Sequence, residues 1–226
     1  MIRGLIAKKV GMTHIFDSEG QIVSLTALEC GPCFVTQIKS ADKDGYDAVQ
    51  LGFGETKRLN AARRGHLASG EVGLLKYLRE FAVDDLSSVK VGQKISVDLF
   101  KEGDFVNITG TAKGKGFQGG VRRYHFRGGP KTHGQSDRTR APGAVGSTTD
   151  PGRVLKGTRM AGHMGNQRVA ERNLKVMRID LVRNLLFVKG AVPGARGGII
   201  LIEKSDKVAK ATKPATKAGA SANTSK

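Results

Sequence analysis

Residues 110–170 cannot build a hydrophobic core. They hold fourteen glycines in 61 positions and only about ten large apolar or aromatic side chains. They also carry twelve Lys or Arg against two acids, Asp137 and Asp150. Ordering a backbone costs about 1–2 kcal/mol per residue, and so few apolar side chains do not offset that. The segment is therefore expected to stay mobile over 115–165 when alone and to order on a partner. Its charge makes that partner a polyanion. The whole chain has a net charge of +18 and a pI near 10.2. More than half of that charge falls in about a quarter of the chain, so a uniformly basic surface does not describe it.

The remainder reads as mainly β. Ile22–Leu28 and Tyr46–Phe53 alternate apolar and polar positions, with Asp17–Gly20 and Asp42–Gly45 as turns between runs. Asp42-Lys43-Asp44-Gly45 begins like a calcium loop, but the later ligands and the closing Glu are missing. Residues 54–95 are mixed, with room for a short helix. Ile95–Phe100 and Phe105–Ile108 read as strands, and three more follow residue 170. Short strands joined by glycine turns suggest a closed barrel or a sandwich. The tail, 204–226, is rich in Lys, Ala and Thr and is expected to be disordered. The start of the chain meets Lys8 and Lys9 before any long apolar run, and no 18-residue apolar window follows. A cytoplasmic protein with reduced thiols and no membrane contact is expected.

Two motifs suggest enzymes and fail on inspection. Gly114-Lys115-Gly116-Phe117-Gln118-Gly119 spells the glycine pattern of a dinucleotide-binding turn. That site needs a helix after the last glycine, to face the pyrophosphate. Only eight residues separate Gly119 from Gly128-Gly129-Pro130, and no helix is expected there. Cys30-Gly31-Pro32-Cys33 spells a redox pair, which needs a helix N-terminus to lower a thiol pKa. The residues after it, Phe34, Val35, Thr36 and Ile38, are strand formers, so Gly31-Pro32 reads as a turn. A zinc ribbon would need a second such pair. The five histidines are scattered, and Asp84-Asp85 reads as a solvated turn. No catalytic residue, cofactor, metal site or small-molecule substrate is expected.

Glycine beside Lys and Arg suits a chain lying against RNA, because glycine lets backbone approach phosphate. Candidate RNA-binding cations are Lys113, Lys115, Arg122, Arg123, Arg127, Lys131, Arg138, Arg140, Arg153, Lys156, Arg159 and Arg168. Tyr124, His125, His133 and His163 are interleaved among them and suit stacking on unpaired bases. Phe117 and Phe126 serve equally well as anchors on the protein itself.

The motifs GLIAKKVGMTHIF (4–16), DGYDAVQLGF (44–53), GTAKGKGFQGG (110–120), RAPGAVGS (140–147), PGRVLKGTRMAGHMGNQRV (151–169) and NLLFVKGAVPG (184–194) occur in order. Together they closely resemble the bacterial ribosomal protein L-three family of the large subunit, over about residues 1–203. The resemblance implies a translation-type β-barrel with a small α+β insertion and a long extension that penetrates 23S rRNA. It implies barrel parts at 1–109 and 171–203, the insertion at about 54–95 and the extension at 110–170. It further implies a role in starting subunit assembly, with Ala141, Pro142, Gly143, Gly146 and Ser147 near the tip, toward the peptidyl transferase centre. Family neighbours are proteins L-fourteen and L-nineteen. Two departures stand out. Tyr124-His125 replaces the Trp-Asn pair of many relatives, so contacts specific to Trp do not carry over. Ser147 replaces a Gln that is methylated in some relatives. The peptide spanning residue 147 is therefore expected to be unmodified, and a methyl mass increment on it would contradict this reading.

Overall fold

The computed structural model describes residues 2–17, 19–68, 70 and 72–205. The chain opens with β1 (Gly4–Phe16), β2 (Ile22–Cys30), β3 (Cys33–Lys39), α1 (Ala41–Asp44), β4 (Ala48–Glu55), α2 (Ala61–Ala68) and β5 (Leu75–Ala82). It continues with β6 (Lys94–Ile95), β7 (Phe105–Thr111), β8 (Gly116–Gln118), α3 (Gly120–Tyr124) and β9 (Gly162–Met164). The last strands are β10 (Arg168–Asp180), β11 (Leu185–Lys189) and β12 (Ile199–Lys204).

Six strands close a barrel in the order β1-β12-β7-β10-β11-β2, which decides between the barrel and sandwich readings. Every pairing in it is antiparallel. Alternation explains the closure. In β7, Val106, Ile108 and Gly110 are buried while Phe105, Asn107 and Thr109 are half-buried. In β12, Ile200 and Ile202 take the inner positions. A two-residue period of this kind gives each strand one face for the core. A closed ring also leaves no sheet edge within the paired stretch.

A four-stranded sheet, β5-β4-β3-β6, packs beside the barrel. It takes in β3 and β4 as well as strands from 54–95. One apolar cluster runs through both units, from Ile108, Leu186 and Ile200 to Val35, Val49 and Leu51. Gly4 sits at the seam, where a Cβ would overlap the Ile202 carbonyl oxygen and press on the Phe81 ring. α2 buries one residue, Leu67, which is 1% exposed. His66 Nε2 adds a 2.7 Å hydrogen bond to Gln50 Oε1. Gly65 lies inside α2, and a methyl group there would have no atom within 4 Å, so packing gives the position no reason to be glycine. A glycine there costs about 1 kcal/mol of helix propensity relative to alanine.

Cys30 ends β2 and Cys33 starts β3, so Gly31-Pro32 is the turn from barrel to sheet, with Gly31 at φ +97°. Both cysteines are free and buried. Cys33 Sγ donates to the Ile6 carbonyl at 3.4 Å. Burial pushes the Cys33 thiol up to about 12 and Cys30 well above its ordinary range. That is the reverse of an activated thiolate.

Two local readings change. Ile95–Phe100 is not one strand: β6 stops at Ile95, and Val97–Leu99 form a 3-10 turn that buries Val97. The run alternates, but its backbone has only β3 to pair with, through Cys33 and Phe34. Asp42-Lys43-Asp44-Gly45 is the single turn of α1 closed by Gly45 at φ +83°. The expected disordered tail, 204–226, begins too early: Lys204 ends β12 and the Ser205 amide donates to Phe105 O at 2.9 Å, while the residues from 206 onward lie outside those described. No described helix is long and apolar enough to cross a membrane.

Cys33 holds its proton in the folded chain to about 12, against an ordinary thiol value of 9.0. The unfolded chain releases that proton first as pH rises, so stability is unaffected below about 9 and falls between 9 and 12. Urea unfolding across that range should show the loss, and Cys33→Ser should reduce its pH dependence, leaving the share that comes from Cys30.

Candidate nucleic-acid interface

The cationic segment leaves the barrel on a ladder, not on a loose loop. β7 and β10 pair from Phe105–Lys175 out to Thr111–Arg168. Beyond the barrel the pairing continues. The Ala112 amide donates to Gln167 O at 2.9 Å, Asn166 N to Ala112 O at 3.2 Å, and Lys115 N to Met164 O at 2.8 Å. β8 and β9 extend it, with Phe117 opposite His163. A bend at Gly165, φ +74°, lets the two chains approach, since a Cβ there would overlap the Lys113 carbonyl oxygen. Gly116–Gln118 of the glycine motif is thus strand, not a phosphate-holding turn.

A helix does follow Gly119, contrary to the sequence expectation, but it is one turn of five residues. Phe126 folds back over its first residue, Gly120, where a Cβ would come within 2.9 Å of the ring. His125 ends it in the left-handed region at φ 61°. A single turn offers few free amides and almost no dipole, so the dinucleotide reading still fails. The helix serves to place Tyr124. Arg123 lies over the Tyr124 ring at 5.1 Å and Arg159 at 5.5 Å. Phe126 is 6.0 Å away, centroid to centroid. Arg123 Nη1 also donates to Met160 O at 2.9 Å, which ties the outgoing chain to the returning one.

Lys113, Lys115, Arg123, Tyr124 and His163 line one cleft of about 750 Å³ between the barrel and the root of the arm. Sequence reading missed its floor, Lys9. This lysine is 9% exposed and its Nζ donates to Val192 O at 2.5 Å and Gly194 O at 3.3 Å. Burial lowers its pKa first, and the charge of Lys113 lowers it further. An anion in the cleft would relieve that repulsion. The only signal in the sequence was Lys9 two positions after Ala7 in a strand, which alternation puts on the face that β1 buries.

Arg127 and Arg138 share a second hollow, about 610 Å³, with Ala141, Pro142 and Gly143. The Gly129 amide donates to Thr139 O at 3.0 Å and closes this part of the arm. Arg168 stands apart, in a cleft with Arg79, Thr111 and Ile199. Arg122, His125, Lys131, His133, Arg140, Arg153, Lys156, Gly146 and Ser147 are exposed and line none of these three hollows. Residues 125–161 contain neither helix nor strand.

The ion pairs lie elsewhere: Arg3–Asp84 at 2.6 Å, Lys8–Glu29 at 3.8 Å and Lys39–Glu80 at 2.9 Å. Among the described residues, none of the twelve cations of 110–170 has an acidic partner.

A closed β-barrel with a side sheet and a cationic, glycine-rich arm is the class of protein defined so far; comparison with known proteins narrows it. A family model described as ribosomal protein L3 matches residues 71–184. A protein of Dehalococcoides mccartyi named large ribosomal subunit protein uL3 is 53% identical over 92% of this chain and all of its own length. Proteins of the same name from Thermomicrobium roseum and Herpetosiphon aurantiacus are 55% and 50% identical, over 93% and 94% of this chain and 98% and 100% of their own lengths. The chain belongs to the ribosomal protein L3 family.

The ladder at the arm's root predicts uneven protection in the free protein. Amides of Ala112, Lys115 and Asn166 should exchange slowly, and those of 143–150, which donate to no backbone carbonyl among the described residues, should exchange fast. Amide exchange by NMR checks this; uniformly fast exchange from 112 to 167 would contradict it.

Proposed function

We propose that this chain is a structural component of the large ribosomal subunit that binds 23S rRNA directly through residues 110–170. In this reading 1–109 and 171–203 form the body, and the arm carries Ala141–Ser147 toward the peptidyl transferase centre. The protein joins early and helps start subunit assembly. It acts within the cytoplasmic ribosome, beside proteins L-fourteen and L-nineteen, and has no catalytic step of its own.

The observation that carries this reading is the set of twelve cations without acidic partners on an arm with little packing of its own. Unpaired guanidinium and ammonium groups at this density repel one another, and phosphate oxygens would supply the missing counter-charge. Arg123 and Arg159 already lie over the Tyr124 ring, a cluster of flat groups on which an unpaired base can stack. The cleft over Lys9 has the charge and size for a sugar–phosphate unit.

Co-sedimentation with large subunits tests the proposal. The wild-type protein should stay bound through a high-salt wash, where a simple electrostatic binder is stripped. Removing 204–226 should cause only a small loss. Replacing Lys113, Lys115, Arg122 and Arg123 by Gln should weaken binding of isolated rRNA. It should also lower the salt slope by about 0.7–0.9 for each phosphate no longer neutralised. Binding that disappears with the tail and survives the arm changes would favour a tail-driven nucleic-acid compactor instead.

A further inference from the structure

The side sheet carries a second cationic surface, on a different unit from the arm. Between Thr56 and Gly70 the chain has Lys57, Arg58, Arg63 and Arg64 and no acidic residue. All four side chains are exposed. Among the described residues none of them has an ion-pair partner. Asn60 starts the helix that presents two of them, its Oδ1 accepting from the Arg63 amide at 3.1 Å.

The helix has a shape as well as a charge. Leu67 is its one buried residue. With about 100° of turn per residue, Arg63 and Arg64 fall on the two flanks of Leu67, while Ala61, Ala62 and Gly65 face the opposite way. The outer crest is therefore low, and at Gly65 nothing in the protein occupies the space a methyl group would take. Fold stability would favour alanine at that position.

We propose that α2 and the Lys57-Arg58 turn form a second RNA contact, seated in the shallow minor groove of an A-form duplex. The low crest enters the groove, and Arg63 and Arg64, which stem from the side of the helix nearer the protein, extend past its flanks to the phosphate rows. The minor groove of RNA is wide and shallow, so a helix can enter it only if its crest is small. The guanidinium fork matches phosphate oxygens in pairs. The inference rests on the reading of this chain as an RNA-bound protein, but on none of the arm residues.

The test uses the full-length protein, a mixed-sequence RNA duplex and a potassium chloride series. Changing Lys57, Arg58, Arg63 and Arg64 together to Gln should weaken duplex binding about tenfold or more and lower the salt slope by about two to four. Gly65→Ala should raise the melting temperature and still weaken duplex binding several-fold. Unchanged affinity and slope in the four-site variant, or unchanged affinity in Gly65→Ala, overturns the proposal. So does displacement of the duplex by polyglutamate at equal charge, which would mark a dock for an acidic protein. Loss of RNA binding in the arm variant alone would leave the arm reading standing and remove only this one. A wild-type protein that binds no RNA would remove both.

Discussion

The antiparallel ladder between β7 and β10 supports everything else in this molecule. Inside, it joins two arcs of the barrel and buries Val106, Ile108 and Val176. Outside, the same two chains stay paired through Ala112–Gln167 and Lys115–Met164 into β8 and β9. The direction of the arm is thus an extension of the barrel's register. A slip of one residue would turn the core face of β7 outward, and with it every cation along the stalk. Gly165 permits the continuation, because any side chain there would strike the Lys113 carbonyl.

Charge is sorted along this axis. Carboxylates of the body face cations of the body, as in Lys39–Glu80 with Tyr46 bonded to both. That arrangement raises the Lys39 pKa and lowers that of Glu80. The arm has no such compensation. Lys9 sits where the two regions meet, held by two carbonyls of the β11–β12 connection and repelled by Lys113. A fold that leaves cations unpaired in one place, while pairing them elsewhere, directs its unmet electrostatics outward, where a polyanion can answer them.

Much of this was legible in the chain. The Cys30–Cys33 turn followed from the strand formers after it, and the burial of both thiols agrees. The barrel strands followed from two-residue alternation. Pairing partners did not, because strand order depends on contacts between residues far apart in sequence: β3 and β4 join the side sheet, and β6 offers only two residues to it. Ile95–Phe100 alternates well enough for a strand, yet Val97–Leu99 turns to bury Val97. The turn of α3 was missed because five residues are too short for a periodic pattern, and the Phe126 ring over Gly120 is a contact across six residues. The cations at 57–64 were readable in number, but their lack of partners was not.

Composition alone separated a β body from an arm that cannot pack itself, since glycine and charge over 110–170 rule out a core whatever the topology. It also defined the partner's charge, because net charge does not depend on folding. Only the tertiary structure decided which of those charges gather into one cleft, that Lys9 belongs to it, and that two arginines lie over the Tyr124 ring. Those facts depend on the register of a ladder between strands about sixty residues apart, and local sequence preference carries no information over that distance.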